Sequence, residues 1–256
     1  MSGKHEIYIG VVIPTYNERE NIVRLIDNIR RILDGLRFKH IILVVDDNSP
    51  DGTAKIVEEY SRKAGNVIVM VRTGKLGIGS AVRDGMKKLI SEYNVTHIVT
   101  MDADFSHDPK DLPKLLKHLN EADVIIGSRY VSKGKIIGWN FYRRLISWGA
   151  NKIVKILYKT KIHDHTGNYR IYSRRAVEAI VKYSTMNGYE WMIEALLIIT
   201  ALGYKTLEVP ITFINRTKGK SKLKIRDIIR WFISITSYRK RFKKIKEAAN
   251  LAIIKT

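Results

Sequence analysis

The first half of the chain alternates between two apolar periods. Residues 7–13 form a short, β-branched, near-continuous apolar run that stops at Pro14. Such a run predicts a strand covered on both faces, as in a parallel sheet. Ile22, Leu25, Ile26, Ile29, Ile32 and Leu33 then recur at helical spacing within 18–34. The same alternation repeats. Strands are predicted at 41–45, 67–71, 95–101 and 124–127. Helices are predicted from about Thr53, after the glycine-rich stretch 73–79, and over 109–120 with Pro109 in the first turn. Strand and helix in turn, joined by short connections, argue for a doubly wound, mostly parallel α/β sheet with helices on both faces.

In such sheets ligands bind beyond the carboxyl ends of the strands. Four polar clusters fall there: Thr15-Tyr16-Asn17-Glu18, Asp46-Asp47-Asn48, Asp102-Ala103-Asp104 and Ser128-Arg129-Tyr130. Residues i and i+2 of an extended chain point to one side, so Asp102 and Asp104 face a common point. Two carboxylates suit a hard divalent cation, Mg²⁺ or Mn²⁺, whose other ligands come from substrate phosphate and water. The plainer alternative is a pair of exposed turn acids, or Asp104 capping the next helix. Placement at a rim with three other polar clusters favours the metal.

Other motifs weaken on inspection. The stretch from Gly74 to Gly85 contains no G-x-x-x-x-G-K-[ST], and Val82 stands where a third dinucleotide-loop glycine belongs. NTPase, kinase and dehydrogenase readings are disfavoured. His163-Asp164-His165 would put both histidines on one face of an extended segment. No third ligand is near in sequence, so a surface strand or turn is expected. Glu190 and Glu194, spaced i, i+4, read as a helix face packed on or paired with basic neighbours.

Charge divides the chain. Residues 1–128 carry 18 basic and 18 acidic side chains, so the whole net charge of +21 lies in 129–256. The basic half expects polyanions: nucleic acid, anionic headgroups or phosphorylated substrates. Nucleic acid alone explains neither the neutral, acid-decorated first half nor the paired aspartates, and no helix-turn-helix, zinc-finger or RNP-like string occurs. The absence of cysteine excludes disulfides and thiolate metal sites. No signal peptide or spanning helix is expected. The apolar stretch 195–203 is far too short.

Taken in order, "VVIPTYNERENI", "VVDDNSPDGT", "GIGSA", "MDADFSHDP" and "GSRY" resemble the motifs of family 2 glycosyltransferases. With "GWNFYRRLISWGAN", "DHTGNYRIY" and "VPITFINRTKGKSKL", the resemblance narrows to dolichyl-phosphate mannose synthases and covers about residues 7–225. It implies a GT-A fold and inverting, metal-dependent transfer of mannose from GDP-mannose to a dolichyl or other polyprenyl phosphate. A UDP-sugar such as UDP-glucose is the alternative donor. Pro14, Tyr16, Glu18 and Asp46 would line the nucleoside pocket. Asp102 and Asp104 would meet metal and donor, with Asp104 and Arg129 at the reaction centre. Arg129, Arg143 and Ser147 would hold the acceptor phosphate. Arg216 and Lys222 would close over the diphosphate. Many relatives carry Gln where this chain has Ser106, whose shorter side chain would reach metal through water.

The same resemblance divides the chain into a nucleotide-sugar half (1–128), an acceptor half of the same domain (129–224) and a basic amphipathic C-terminal helix (225–256). Two stretches, 139–158 and 225–246, interleave tryptophan and aliphatic residues with Arg and Lys, as an interfacial helix does. Peripheral attachment at the cytoplasmic face of an anionic membrane is expected, or docking to a small membrane-spanning partner. Packing on the sheet is the alternative for both stretches.

Overall fold

The computed structural model describes residues 6–215 and 233–254. Strands β1 (Tyr8–Thr15), β2 (Lys39–Asp46), β3 (Val67–Val71), β4 (His97–Thr100), β5 (Val124–Ser128), β7 (Arg170–Ser173) and β8 (Thr206–Pro210) form one sheet in the order β3-β2-β1-β4-β7-β5-β8. Strands β6 (Lys135–Ile137) and β9 (Thr212–Ile214) pair separately, in parallel. The main sheet is parallel except for β7, which runs antiparallel to both β4 and β5. The helices are α1 (Ile22–Gly35), α2 (Thr53–Ala64), α3 (Ile78–Glu92), α4 (Leu112–Leu116), α5 (Phe141–Tyr158), α6 (Arg174–Tyr183), α7 (Trp191–Ala201) and α8 (Arg239–Ile254).

Alternation along β1 builds two cores. Ile9, Val11 and Ile13 face one side with Leu25, Ile26 and Ile29 of α1 and Val57 of α2. Val12 faces the other with α3, α6 and α7, through Val82, Met86, Val177, Trp191 and Leu196. Gly10 leaves room on that second face, since a Cβ there would sit 2.7 Å from Leu89 Cδ1. A third cluster joins the outer side of α7 (Ile193, Leu197) to Val154 and Tyr158 of α5 and to Ile235, Tyr238 and Ile245. Held between two clusters, α7 is apolar nearly all round, as a helix buried on every side must be. Among the described residues no helix is long and apolar enough to cross a membrane.

The helix predicted over 109–120 is shorter: a 3₁₀ turn, Pro109–Asp111, followed by α4. Pro113 explains this. It has no N–H to bond back to the preceding turn, so it is tolerated only where a helix begins again. The sheet runs across the 128 boundary: β4 of the first half pairs with β7 of the second.

Helix α5 starts at the Asn140 cap, whose side chain accepts the Arg143 amide at 2.9 Å. It buries only Asn151, Val154 and Tyr158. Its first half stands clear of the core, with Phe141 72% and Tyr142 74% exposed and Leu145, Ile146 and Trp148 each about half exposed. In the second predicted interfacial stretch, residues 225–232 lie outside the described residues. Ile235 beyond them is buried.

Candidate functional site

Strand order reverses beside β1. The chain winds outward to β3 and then crosses back through α3 to β4 on the other flank of β1. At such a switch point the loops leaving neighbouring strands part and open a crevice. A cleft of about 590 Å³ lies there. Pro14, Tyr16 and Glu18 line it from the end of β1, and Asp102 and Asp104 from the end of β4.

Asp46, expected in the nucleoside pocket, does not line the cleft. Its carboxylate is fully buried and accepts from Thr15 Oγ1 (2.7 Å), Ser49 N (2.7 Å) and Ser49 Oγ (2.6 Å). It ties the ends of β1 and β2 together. The next residue, Asp47, faces the cleft instead. Asp47 is ion-paired with buried Arg72 and accepts the Leu76 and Gly77 amides at 3.1 and 3.3 Å, which shapes the glycine-rich loop. Lys75 of that loop lies 4.2 Å from the centre of the Tyr16 ring.

The glycines set aside as a nucleotide motif have a packing role. At Gly77 (φ 106°) a Cβ would lie 2.3 Å from the Asn187 carbonyl oxygen. At Gly79 it would lie 2.3 Å from Trp191 Cβ. Their absence of side chains lets α3 approach 187–191, and this segment supplies a wall of the cleft through Asn187, Tyr189 and Glu190. Sequence reasoning missed that wall. Glu190 and Glu194 do not act as one helix face: Glu190 lines the cleft, whereas buried Glu194 accepts the Thr185 and Met186 amides. Burial outweighs those hydrogen bonds and raises the Glu194 carboxyl.

Both aspartates of the central motif are held by local geometry. Asp102 donates its amide to His107 Nδ1 at 3.2 Å, and its Oδ1 accepts from Asn168 Nδ2 at 3.0 Å. Asp104 Oδ1 accepts the Ser106 amide at 3.0 Å across Phe105, whose φ of 59° turns the chain. Ser106, expected as a third metal neighbour, is 2% exposed and does not line the cleft. Among the described residues, no group of three or more His, Cys, Asp or Glu side chains gathers around a common point. The donor set therefore fits a cation completed from outside the protein: two hard carboxylates at the edge of a cleft open to diphosphate oxygens and water.

Arg129 does not line the cleft. It is 7% exposed, and its Nε and Nη2 reach the two oxygens of Asp164 at 2.8 and 2.7 Å. Burial alone would raise the Asp164 carboxyl; the Arg129 charge and hydrogen bonds outweigh it and hold the group well below the usual carboxylate range. The guanidinium also lies over the rings of Tyr130, Trp139 and Phe213. Arg143 covers the same indole, 4.2 Å from its centre, and donates to Asn215 Oδ1 at 3.0 Å. Ser147 Oγ accepts from Tyr130 OH at 2.7 Å. The three residues expected at an acceptor phosphate thus form a second cluster, built around Trp139 and Tyr130. Arg216 and Lys222 lie outside the described residues.

His163 and His165 do not share a face. His163 is exposed, with Nδ1 2.8 Å from Glu208, while His165 is fully buried beside Thr160. Burial, aided by the Arg170 charge, pushes the His165 ring down to about 3.

This architecture, an α/β sheet with its cleft at the β1/β4 switch point, is the GT-A type. Glucosyl-3-phosphoglycerate synthase from Mycobacterium tuberculosis, solved with Mn²⁺, UDP and glucosyl-3-phosphoglycerate, superposes with a TM-score of 0.63 at 20% identity, covering 90% of this chain and 80% of that one. Mannosyl-3-phosphoglycerate synthase from Rubrobacter xylanophilus does so with a TM-score of 0.68 at 16% identity, over 93% and 75%. Residues 10–181 match glycosyl transferase family 2, and the chain belongs to that family. A dolichol-phosphate mannosyltransferase of Pyrococcus furiosus is 39% identical over 226 residues, 87% of this chain and 61% of its own length. An undecaprenyl-phosphate mannosyltransferase of Micrococcus luteus is 36% identical over 214 residues, 83% of this chain and 86% of its own.

Proposed function

We propose that the protein transfers mannose from GDP-mannose to a dolichyl or other polyprenyl phosphate, with inversion and with Mg²⁺ or Mn²⁺. The observation that carries this reading is the presence of two unlike sites: a cleft edged by Asp102 and Asp104, and a separate cluster of Arg129 with Arg143 and Ser147 of α5. The relatives named as mannosyltransferases acting on polyprenyl phosphates support the choice of sugar and acceptor.

The chemistry fits those residues. A sugar hydroxyl acceptor needs a general base to become a nucleophile. A phosphate monoester is already largely anionic at neutral pH, its second pKa lying near ~6. The task is to bring two anions together and stabilise the leaving diphosphate. Asp102 and Asp104 would hold the cation, which supplies Lewis-acid neutralisation of the diphosphate. Arg143 and Ser147 would bind the acceptor phosphate, with Arg129 stiffening their cluster through Trp139 and Tyr130. Pro14, Tyr16 and Glu18 would take the nucleoside, with Asp47 rather than Asp46 on the cleft side.

The half-exposed apolar side chains of α5 alternate with Arg143, Arg144, Lys152 and Lys155, and α8 adds a basic run from Arg239 to Lys246. These features support peripheral attachment to an anionic membrane surface, where the lipid acceptor resides. Co-flotation with anionic vesicles tests it; failure to float with or without polyprenyl phosphate would reject it.

The function is tested by thermal-shift titration with GDP and UDP, each with and without Mn²⁺, followed by transfer to polyprenyl phosphate. A GDP-selective, metal-dependent rise is expected, and Asp104→Ala is expected to abolish both that rise and turnover. A UDP-selective rise would move the donor to a UDP-sugar. Full activity in Asp104→Ala would refute the placement of the metal.

A further inference from the structure

Asn168 is placed unusually for an asparagine. It precedes β7 by two residues and is 2% exposed. Its backbone oxygen accepts from Thr100 Oγ1 at 2.7 Å, and its Nδ2 donates to Asp102 Oδ1 at 3.0 Å. The residue is thus fastened to the end of β4 through its backbone and to Asp102 through its side chain. An ionised carboxylate can only accept, so the nitrogen must face Asp102, and this fixes which way the amide lies. The consequence is a buried Asn168 Oδ1 with no hydrogen-bond partner among the described residues.

A buried, unpartnered carbonyl oxygen is unfavourable. If the position needed only filling, a small apolar side chain would fill it without an orphaned oxygen. The residue type is therefore explained by its Nδ2, and Nδ2 has one described partner, Asp102. Asp102 needs such a partner. Its side chain is 31% exposed, and it sits at the rim with solvent to turn into. Its backbone is already fixed, because the amide donates to His107 Nδ1 and the His107 ring is packed against Tyr169 and Phe213, 5.3 and 5.4 Å away. The carboxylate torsion is the remaining freedom.

We propose that Asn168 is a positioning residue for Asp102. It acts through that carboxylate and sets the affinity for the divalent cation, without touching donor or acceptor. The inference rests on the metal role given to Asp102 above. A hydrogen-bonding neighbour that orients a metal ligand typically changes metal affinity by about 10–100-fold when removed.

The test is Asn168→Leu, with Asn168→Ala alongside. Mn²⁺ binding is measured at saturating GDP by the loss of the aqueous Mn²⁺ electron paramagnetic resonance signal, and thermal stability is measured on the same samples. In whichever variant folds, half-saturating Mn²⁺ is expected to rise about 10–100-fold, whatever the change in melting temperature. Turnover should recover at excess metal, and the KM for lipid phosphate should stay unchanged. A merely structural role would give the opposite pattern, a changed melting temperature with unchanged metal affinity. Half-saturation within twofold of wild type in whichever variant folds overturns the proposal. Wild-type protein that binds no Mn²⁺ with GDP would instead overturn the metal reading itself.

Discussion

Asp164→Asn isolates the buried pair that underlies the arginine cluster. Five N–H donors converge on the two oxygens of Asp164. Arg129 N and Nε meet Oδ2; Arg129 Nη2, Thr166 N and Gly167 N meet Oδ1. An asparagine has the same shape but one oxygen. Whichever way it turns, its NH₂ faces two or three of those donors, and Arg129 keeps its charge with no counter-ion. Breaking a buried pair from one side costs about 3–5 kcal/mol. At about 2–4 °C per kcal/mol for a chain near this size, the melting temperature should fall by about 6–20 °C. Thermal and urea unfolding followed by circular dichroism measure it. In an Arg129→Met background, where no stranded cation remains, the same substitution should cost less, leaving a coupling of about 2 kcal/mol or more. A drop below about 2 °C for Asp164→Asn, or equal costs in both backgrounds, would refute the claim that the pair fixes Arg129.

Arg143→Ala removes a guanidinium from the face of Trp139 but none from the cleft. It should weaken acceptor use about 10- to 100-fold, as loss of a charge-assisted hydrogen bond implies, with GDP affinity nearly unchanged. Lost GDP binding would overturn the division of the two sites. Stability should also fall in mild acid. His165, its ring lowered to about 3, stays neutral in the fold while the unfolded chain takes up a proton below its ordinary 6.5. The unfolded state then binds more protons, so stability present near neutrality is lost as pH drops from 6.5 toward 3, by about 2 kcal/mol at pH 5. His107, lowered chiefly by burial against the pull of Asp102 and Asp104, adds in the same direction. His165→Gln should flatten the slope of chemical-denaturation stability between pH 7 and 5, and an unchanged slope would reject the assignment.

The first half of the fold was readable because its strands are buried on both faces and so appear as apolar runs between helical periods. The later strands carry no such mark. β7 begins with Arg170, a fully buried charge whose guanidinium donates to the Met192 and His165 carbonyls. β8 is a half-exposed edge containing Glu208, and β6 and β9 have three residues each. The central aspartates were visible because a strand end and an i, i+2 spacing are both local. The wall from 187 to 190 is not local: only the close approach of Gly77 and Gly79 brings it there. Asp46 and Asp47 are indistinguishable by type, and the register of β2 decides which one turns inward.

The reversed direction of β7 bears on how the protein is made. As the chain leaves the ribosome, β1 to β4 can assemble as soon as residue 100 has emerged. The free edge of β4 then waits for β7, which begins 70 residues later, and β5 has no partner until β7 and β8 arrive. During that interval two apolar strands present open backbone edges, the usual seeds of wrong pairing between chains. A nascent chain halted near residue 130 should therefore depend on chaperones in a way the finished protein does not.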